Sequence, residues 1–133
     1  MDKLEIVIIA AIALVLLLPY LLMRISAYRS VGRQAPPLGE QFIAGADAER
    51  PLYLYFMSER CSMCRVMTPR VEQLGRDDAN VITINITDYP ELATGFGVQG
   101  TPTLMVVSDG KVQRVKLGAL SEGKLAHFFD RVD

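Results

Sequence analysis

The sequence predicts an α/β fold, a mixed central sheet flanked by helices, preceded by a single N-terminal transmembrane helix. Three observations lead there. Ile6 to Met23 is a run of 18 residues without a charge. From Pro51 onward, short aromatic and β-branched runs alternate with helical patterns. Asp109-Gly110 then separates two strand-like runs, which marks an antiparallel hairpin in a sheet whose first two strands need a right-handed crossover. A two-layer arrangement is the simplest packing of these elements.

Taken in order, the apolar run comes first. As a helix its 18 residues rise roughly 27 Å, close to the hydrocarbon thickness of a bilayer. A helix buried in the core of a small domain would usually show a polar stripe, and this one shows none. Pro19 lies inside it, which membrane helices tolerate. A cleaved signal peptide is the competing account. Its leading region should be basic, whereas Met1-Asp2-Lys3-Leu4-Glu5 carries two acids, and Ile25-Ser26-Ala27 is a poor cleavage site. The expectation is therefore an uncleaved single-pass anchor in the cell (inner) membrane, with its flank over residues 1–29.

Residues 30–37 turn polar and then Pro-rich (Gln34, Ala35, Pro36, Pro37), which reads as a linker or stalk. The domain proper is expected over 38–133. Leu38 to Arg50, with Phe42 and Ile43 as its large apolar residues, fits one short helix. Pro51 to Phe56 reads as a strand and Arg65 to Gly75 as a helix carrying Pro69 as a kink. Asn80 to Ile86 is β-branched and strand-like, Pro90 to Thr94 a short helix, and Gly95, Gly97 and Gly100 a loop. Thr103 to Val107 and Lys111 to Leu117 flank the hairpin turn, and Ser121 to Val132 is a final amphipathic helix with Leu125, Phe128 and Phe129 inside.

Charge is nearly balanced, 14 basic against 15 acidic residues, which argues against a nucleic-acid or polyanionic partner. The chemistry centres on Cys61 and Cys64, the only cysteines. They stand between the end of a strand and the start of a helix, where unpaired N–H groups and the helix dipole favour an anion. Cys61 is expected to be the more thiolate-like, with Arg60 and Arg65 pushing the same way. Three residues apart, the two sulfurs are within disulfide reach.

Other readings of the pair are weaker. Structural zinc wants four ligands, and beyond these cysteines the chain offers a single histidine, His127. As a purely structural staple, so short a disulfide loop removes little unfolded-chain entropy. Met57, Met63 and Met67 suggest soft-metal (copper) handling, although methionines at helical spacing are more often core filler.

Several motifs at coherent spacing carry a resemblance. Cys61-Ser62-Met63-Cys64-Arg65 with Pro69, Gly97-Val98-Gln99-Gly100-Thr101-Pro102-Thr103, the Asp109-Gly110-Lys111-Val112 turn and Val115-Lys116-Leu117-Gly118 together resemble thioredoxin from about Pro51 to the C-terminus. The resemblance implies a thiol-disulfide oxidoreductase, here a disulfide reductase, with Cys61 and Cys64 catalytic. It implies Pro102 as a cis-proline beside the dithiol and Thr101 as a backbone partner for bound substrate, with Met63 joining them as a contact. Protein disulfides would be the substrates and a separate thiol donor the source of electrons, with no bound cofactor. The departures are specific. Arg60 stands where cytoplasmic thioredoxins have tryptophan, Tyr55 where they bury an acid, Thr83 where they carry the accompanying lysine, and Ser62-Met63 where they carry Gly-Pro. Without the buried acid, water, Glu59 or another group must take the Cys64 proton. The family's first strand and helix are shortened to Leu38–Arg50, so the sheet is expected to lack an edge strand.

Two cues conflict over sidedness. Arg24, Arg29 and Arg33 follow the apolar run while Lys3 precedes it, which puts the domain in the cytoplasm by the positive-inside rule. Threonine before the proline is more typical of extracytoplasmic disulfide-handling relatives. The alternative function is a tethered assembly or copper-handling factor using the same dithiol.

Overall fold

The computed structural model describes residues 1–130. Helix α1 spans Lys3–Tyr28 and runs through Pro19; it is one helix near the N-terminus long and apolar enough to cross a membrane. A one-turn helix α2, Glu40–Ile43, precedes strand β1, Leu52–Met57, and helix α3, Cys64–Asp77. Strand β2 (Val81–Asn85), helix α4 (Pro90–Phe96), strands β3 (Thr103–Ser108) and β4 (Lys111–Leu117), and helix α5 (Glu122–Asp130) complete the order. The end expected for the last helix, Val132, lies outside the described residues.

The sheet has four strands in the order β2-β1-β3-β4. β1 runs parallel to β2 and antiparallel to β3, and β3 to β4 is the expected hairpin. Its turn needs two left-handed residues: Asp109 has φ 54° and Gly110 φ 70°. Among the described residues no named strand precedes β1, in line with the missing edge strand.

The two-layer expectation needs correction, because both faces of the sheet are covered. On β1, Leu54 and Phe56 face a cluster with Ile82, Ile84, Phe96 and Met105, while Tyr53 and Tyr55 face Met67, Val71, Leu125 and Phe128. Helices α3 and α5 cover the second face; α4 and the chain before β1 cover the first. The physical reason is visible in β1 itself, where Tyr53 to Phe56 are all buried and large on both sides of the pleat.

Residues 30–37 are also unlike a free stalk. Gly32 donates its N–H to Val112 O at 2.7 Å, the Val112 N–H reaches Arg33 O at 3.0 Å, and Ala35 N–H reaches Gly110 O at 2.8 Å. Gln34 forms an isolated antiparallel bridge with Lys111. Polar composition concealed this, because backbone pairing along an edge strand needs no apolar side chain. Gly97 closes α4 at φ 73°, and a Cβ there would stand 2.6 Å from the Ser30 hydroxyl, which donates to Phe96 O at 2.9 Å.

Asn80 is 1% exposed and ties the loop before β1 to the start of β2. Its side chain accepts from Asp47 N–H at 2.8 Å and donates to Asp47 O and Pro51 O, each at 3.0 Å. Beside it the hydrogen bond from Arg50 holds the Asp78 carboxyl below its ordinary value, against the opposing effect of burial and with a further lowering from the Asn80 N–H. A depressed folded pKa stabilises above the unfolded carboxyl value, about 4, and that contribution is lost as pH falls through the folded value. Arg50→Gln is therefore expected to lower the Tm slightly at pH 7 and to be indistinguishable from wild type at the acid end. Thermal melts from pH 7 down to 2 check this; a gap that stays constant across the series contradicts it.

Candidate active site

Strand β1 ends where β3 begins: Phe56 is paired with Thr103. The loop carrying the cysteines and the loop carrying Thr101-Pro102 therefore leave the sheet at one edge, the C-terminal edge of β1. Cys61 and Cys64 form a disulfide across a Cα–Cα distance of 5.2 Å. Helix α3 starts at Cys64, so Cys61 sits in the turn before the helix, its N–H bonded to Ser58 O at 3.1 Å. The Cys61 sulfur accepts the Cys64 N–H at 3.1 Å, one of the donors a helix start leaves without an intrahelical partner.

Exposure separates the two cysteines. Cys61 is partly exposed and Cys64 is 1% exposed. Met63 is half exposed, and Arg60 and Arg65 are both exposed. The Thr101–Pro102 peptide is cis; Pro102 is buried and its carbonyl accepts the Gly118 N–H at 2.9 Å. Thr101 is partly exposed, and Thr103 bonds back to Gly100 O at 2.5 Å, which braces this loop.

Under the first turn of α3 lies a group whose partner escaped the sequence reading. Tyr55 is fully buried; its hydroxyl is 2.9 Å from Thr68 Oγ1 and 3.4 Å from Cys64 O. Thr68 stands four residues after Cys64, on the same helical face, and that spacing was the available signal. Burial pushes the Tyr55 phenol above its ordinary value, against the lowering effect of its hydrogen bond with Thr68, so at neutral pH it is a neutral donor and not a base. Tyr55→Phe is expected to cost about 1 kcal/mol of stability through the lost hydrogen bond. Disulfide exchange should stay within about threefold of wild type, with an unchanged pH profile between 6 and 9. Denaturant melts and a turnover series check both; a profile that shifts on removal of the hydroxyl would give Tyr55 a part in proton transfer.

A mixed α/β sheet with a partly exposed and a buried cysteine at one strand end, closed as a Cys-x-x-Cys disulfide, defines a thiol-disulfide oxidoreductase. The thioredoxin family model matches residues 40–131. Thioredoxin from Pseudomonas aeruginosa is 35% identical over 94 residues, 68% of this chain and 85% of that protein. Thioredoxin from Rhodospirillum rubrum is 40% identical over 81 residues, 59% of this chain and 78% of that one. Among solved structures, Fasciola hepatica thioredoxin superposes with a TM-score of 0.57 at 27% identity, covering 71% of this chain and 90% of its own. The chain belongs to the thioredoxin family, and protein disulfides are its substrate class.

Proposed function

We propose that this protein is a membrane-tethered disulfide reductase in which Cys61 is the attacking thiol and Cys64 the resolving one. The observation that carries the assignment is the asymmetry of the pair. Cys61 is reachable from solvent and its sulfur already accepts a helix-start N–H, a donor that favours the thiolate once the pair is reduced; Cys64 is shielded beneath it. Exposed Arg60 and Arg65 add positive potential around the same sulfur.

The Cys61 thiolate attacks one sulfur of the substrate disulfide, expelling the other as a thiolate and leaving a mixed disulfide. Cys64, once deprotonated, attacks the Cys61 sulfur and releases the second substrate thiolate. The substrate gains two electrons and, with protons from solvent, ends as two thiols, while Cys61–Cys64 becomes the disulfide. A separate dithiol donor then reduces that bond. Since Tyr55 is a neutral donor, the proton of Cys64 leaves to water or to the exposed Glu59. Thr101, Pro102 and Met63 line the path by which a substrate strand reaches Cys61.

Tethering is supported by α1, whose apolar window is wholly unburied by the rest of the chain. Exposed Arg24, Arg29 and Arg33 after that run favour a cytoplasmic domain. The copper reading gains no support from the methionines, since Met67 is packed in the core beside Tyr55 and Val71 while Met63 faces solvent.

Expressed at full length, the chain is expected to resist carbonate extraction from membranes. Cys61 should react with a membrane-impermeant thiol reagent, after mild reduction, only once cells are lysed. Extraction into the soluble fraction would overturn tethering, and labelling in intact cells with a permeabilised outer envelope would reverse the sidedness.

A further inference from the structure

The course of the chain between α1 and the sheet sets which edge of the domain the apolar helix meets. Followed backwards from the hairpin, Ala35 bonds to Gly110, and Gly32 and Arg33 bond to Val112. Ser30, 2% exposed, bonds to Phe96 O, and Ala27, 1% exposed, packs against the domain. Four residues earlier, the end of the Met23 side chain occupies the place where a Cβ on Gly100 would stand, next to Leu117 at the end of β4. The chain thus climbs β4 from the hairpin edge to the catalytic edge. Met23 is also the last residue of the charge-free run, and that run carries on past the sheet with none of it buried.

Given the membrane-anchor reading, on which this rests, the boundary between apolar and charged residues at Met23 and Arg24 is level with the loop that leads into Thr101-Pro102. The dithiol leaves the sheet at that same edge. Between the two edges of the sheet lie the six residues of β1, about 20 Å of strand. The exposed side chains around the dithiol suit an interface: Met63 is 50% and Val66 81% exposed, with Arg60 and Arg65 beside them. We infer that the catalytic edge faces the bilayer, and that the partner is a cysteine pair of a membrane-embedded protein, carried at the water-facing end of its membrane span. A docked helix end and bonded segment 30–35 leave the domain little freedom to turn its dithiol toward the bulk.

The chain contains no tryptophan, so single tryptophans report position. Val66→Trp marks the catalytic edge and Glu49→Trp, in the exposed loop before β1, the opposite one. Full-length variants in phosphatidylcholine vesicles, with and without a lipid spin-labelled on its headgroup, are expected to show Val66→Trp quenched at least about twofold more strongly, since such quenching is a contact-range effect. The partner is tested with synthetic transmembrane peptides bearing one disulfide, either two residues beyond the apolar span or at the end of a long Gly-Ser extension. Reduction of the first should be about tenfold faster, because the anchor raises the effective concentration only where the geometry allows both to engage. Equal or reversed quenching, or equal rates on the two peptides, overturns the inference while vesicle flotation still upholds the anchor. A chain that fails to float overturns the anchor and the inference together.

Discussion

Cys61→Ser is expected to abolish reduction of insulin disulfides by the reduced full-length chain, a loss of at least about a thousandfold. Serine keeps the size and the neighbouring N–H donor, but at neutral pH an alkoxide is not populated and oxygen does not exchange with a disulfide. Cys64→Ser is expected to fail differently. The partly exposed Cys61 still attacks, and with the buried resolving sulfur gone the mixed disulfide persists, visible as a covalent adduct on a non-reducing gel. The fold should survive both changes, since a disulfide closing so short a loop contributes little to stability. Full turnover by Cys61→Ser, or adducts trapped by Cys61→Ser and not by Cys64→Ser, would reverse or remove the assignment of roles.

Phe56→Ala should give the largest loss of stability. Its ring is fully buried, packs against Phe96 at 5.4 Å between centroids, and lies in the cluster with Leu54, Ile84 and Met105. Truncating such a residue costs about 3–5 kcal/mol, a large share of the 5–15 kcal/mol that holds a typical domain, so a fall in Tm of roughly 20 °C is expected. Activity near that lowered Tm should fall with it, because Phe56 is the β1 residue paired with Thr103 and so holds the cysteine loop beside the Pro102 loop. Phe56→Leu should recover more than half of the loss by refilling most of the volume. Circular-dichroism melts of both variants measure it. A loss under 1 kcal/mol for alanine would mean the site is not braced through this ring.

Much of the site was legible because its signals are local. The cysteine spacing, the strand before it and the helix after it announce a dithiol at a strand end, and the glycine-rich approach to Thr101-Pro102 marks a shaped loop. Asp109-Gly110 specifies its hairpin by backbone preference alone. The helix read from Arg65 starts one residue sooner, at Cys64, and the hydrogen bond that the Cys61 sulfur accepts from the Cys64 N–H shows where the helix donors begin. Thr68 stayed unnoticed because a hydroxyl in a helix has no fixed meaning until something buried points at it. Residues 30–37 read as a stalk because their pairing with β4 is made through backbone groups.

By itself, then, the sequence determined the apolar helix, the order of strands and helices, the hairpin and the redox pair, all consequences of composition, periodicity and turn chemistry within a few residues. The tertiary structure alone decided which helices cover each face of the sheet, that Tyr55 and Thr68 meet under the dithiol, and that α1 arrives at the catalytic edge. Each of these joins residues far apart in the chain through packing and edge pairing, which depend on which surfaces meet and leave no periodic trace in the order of amino acids.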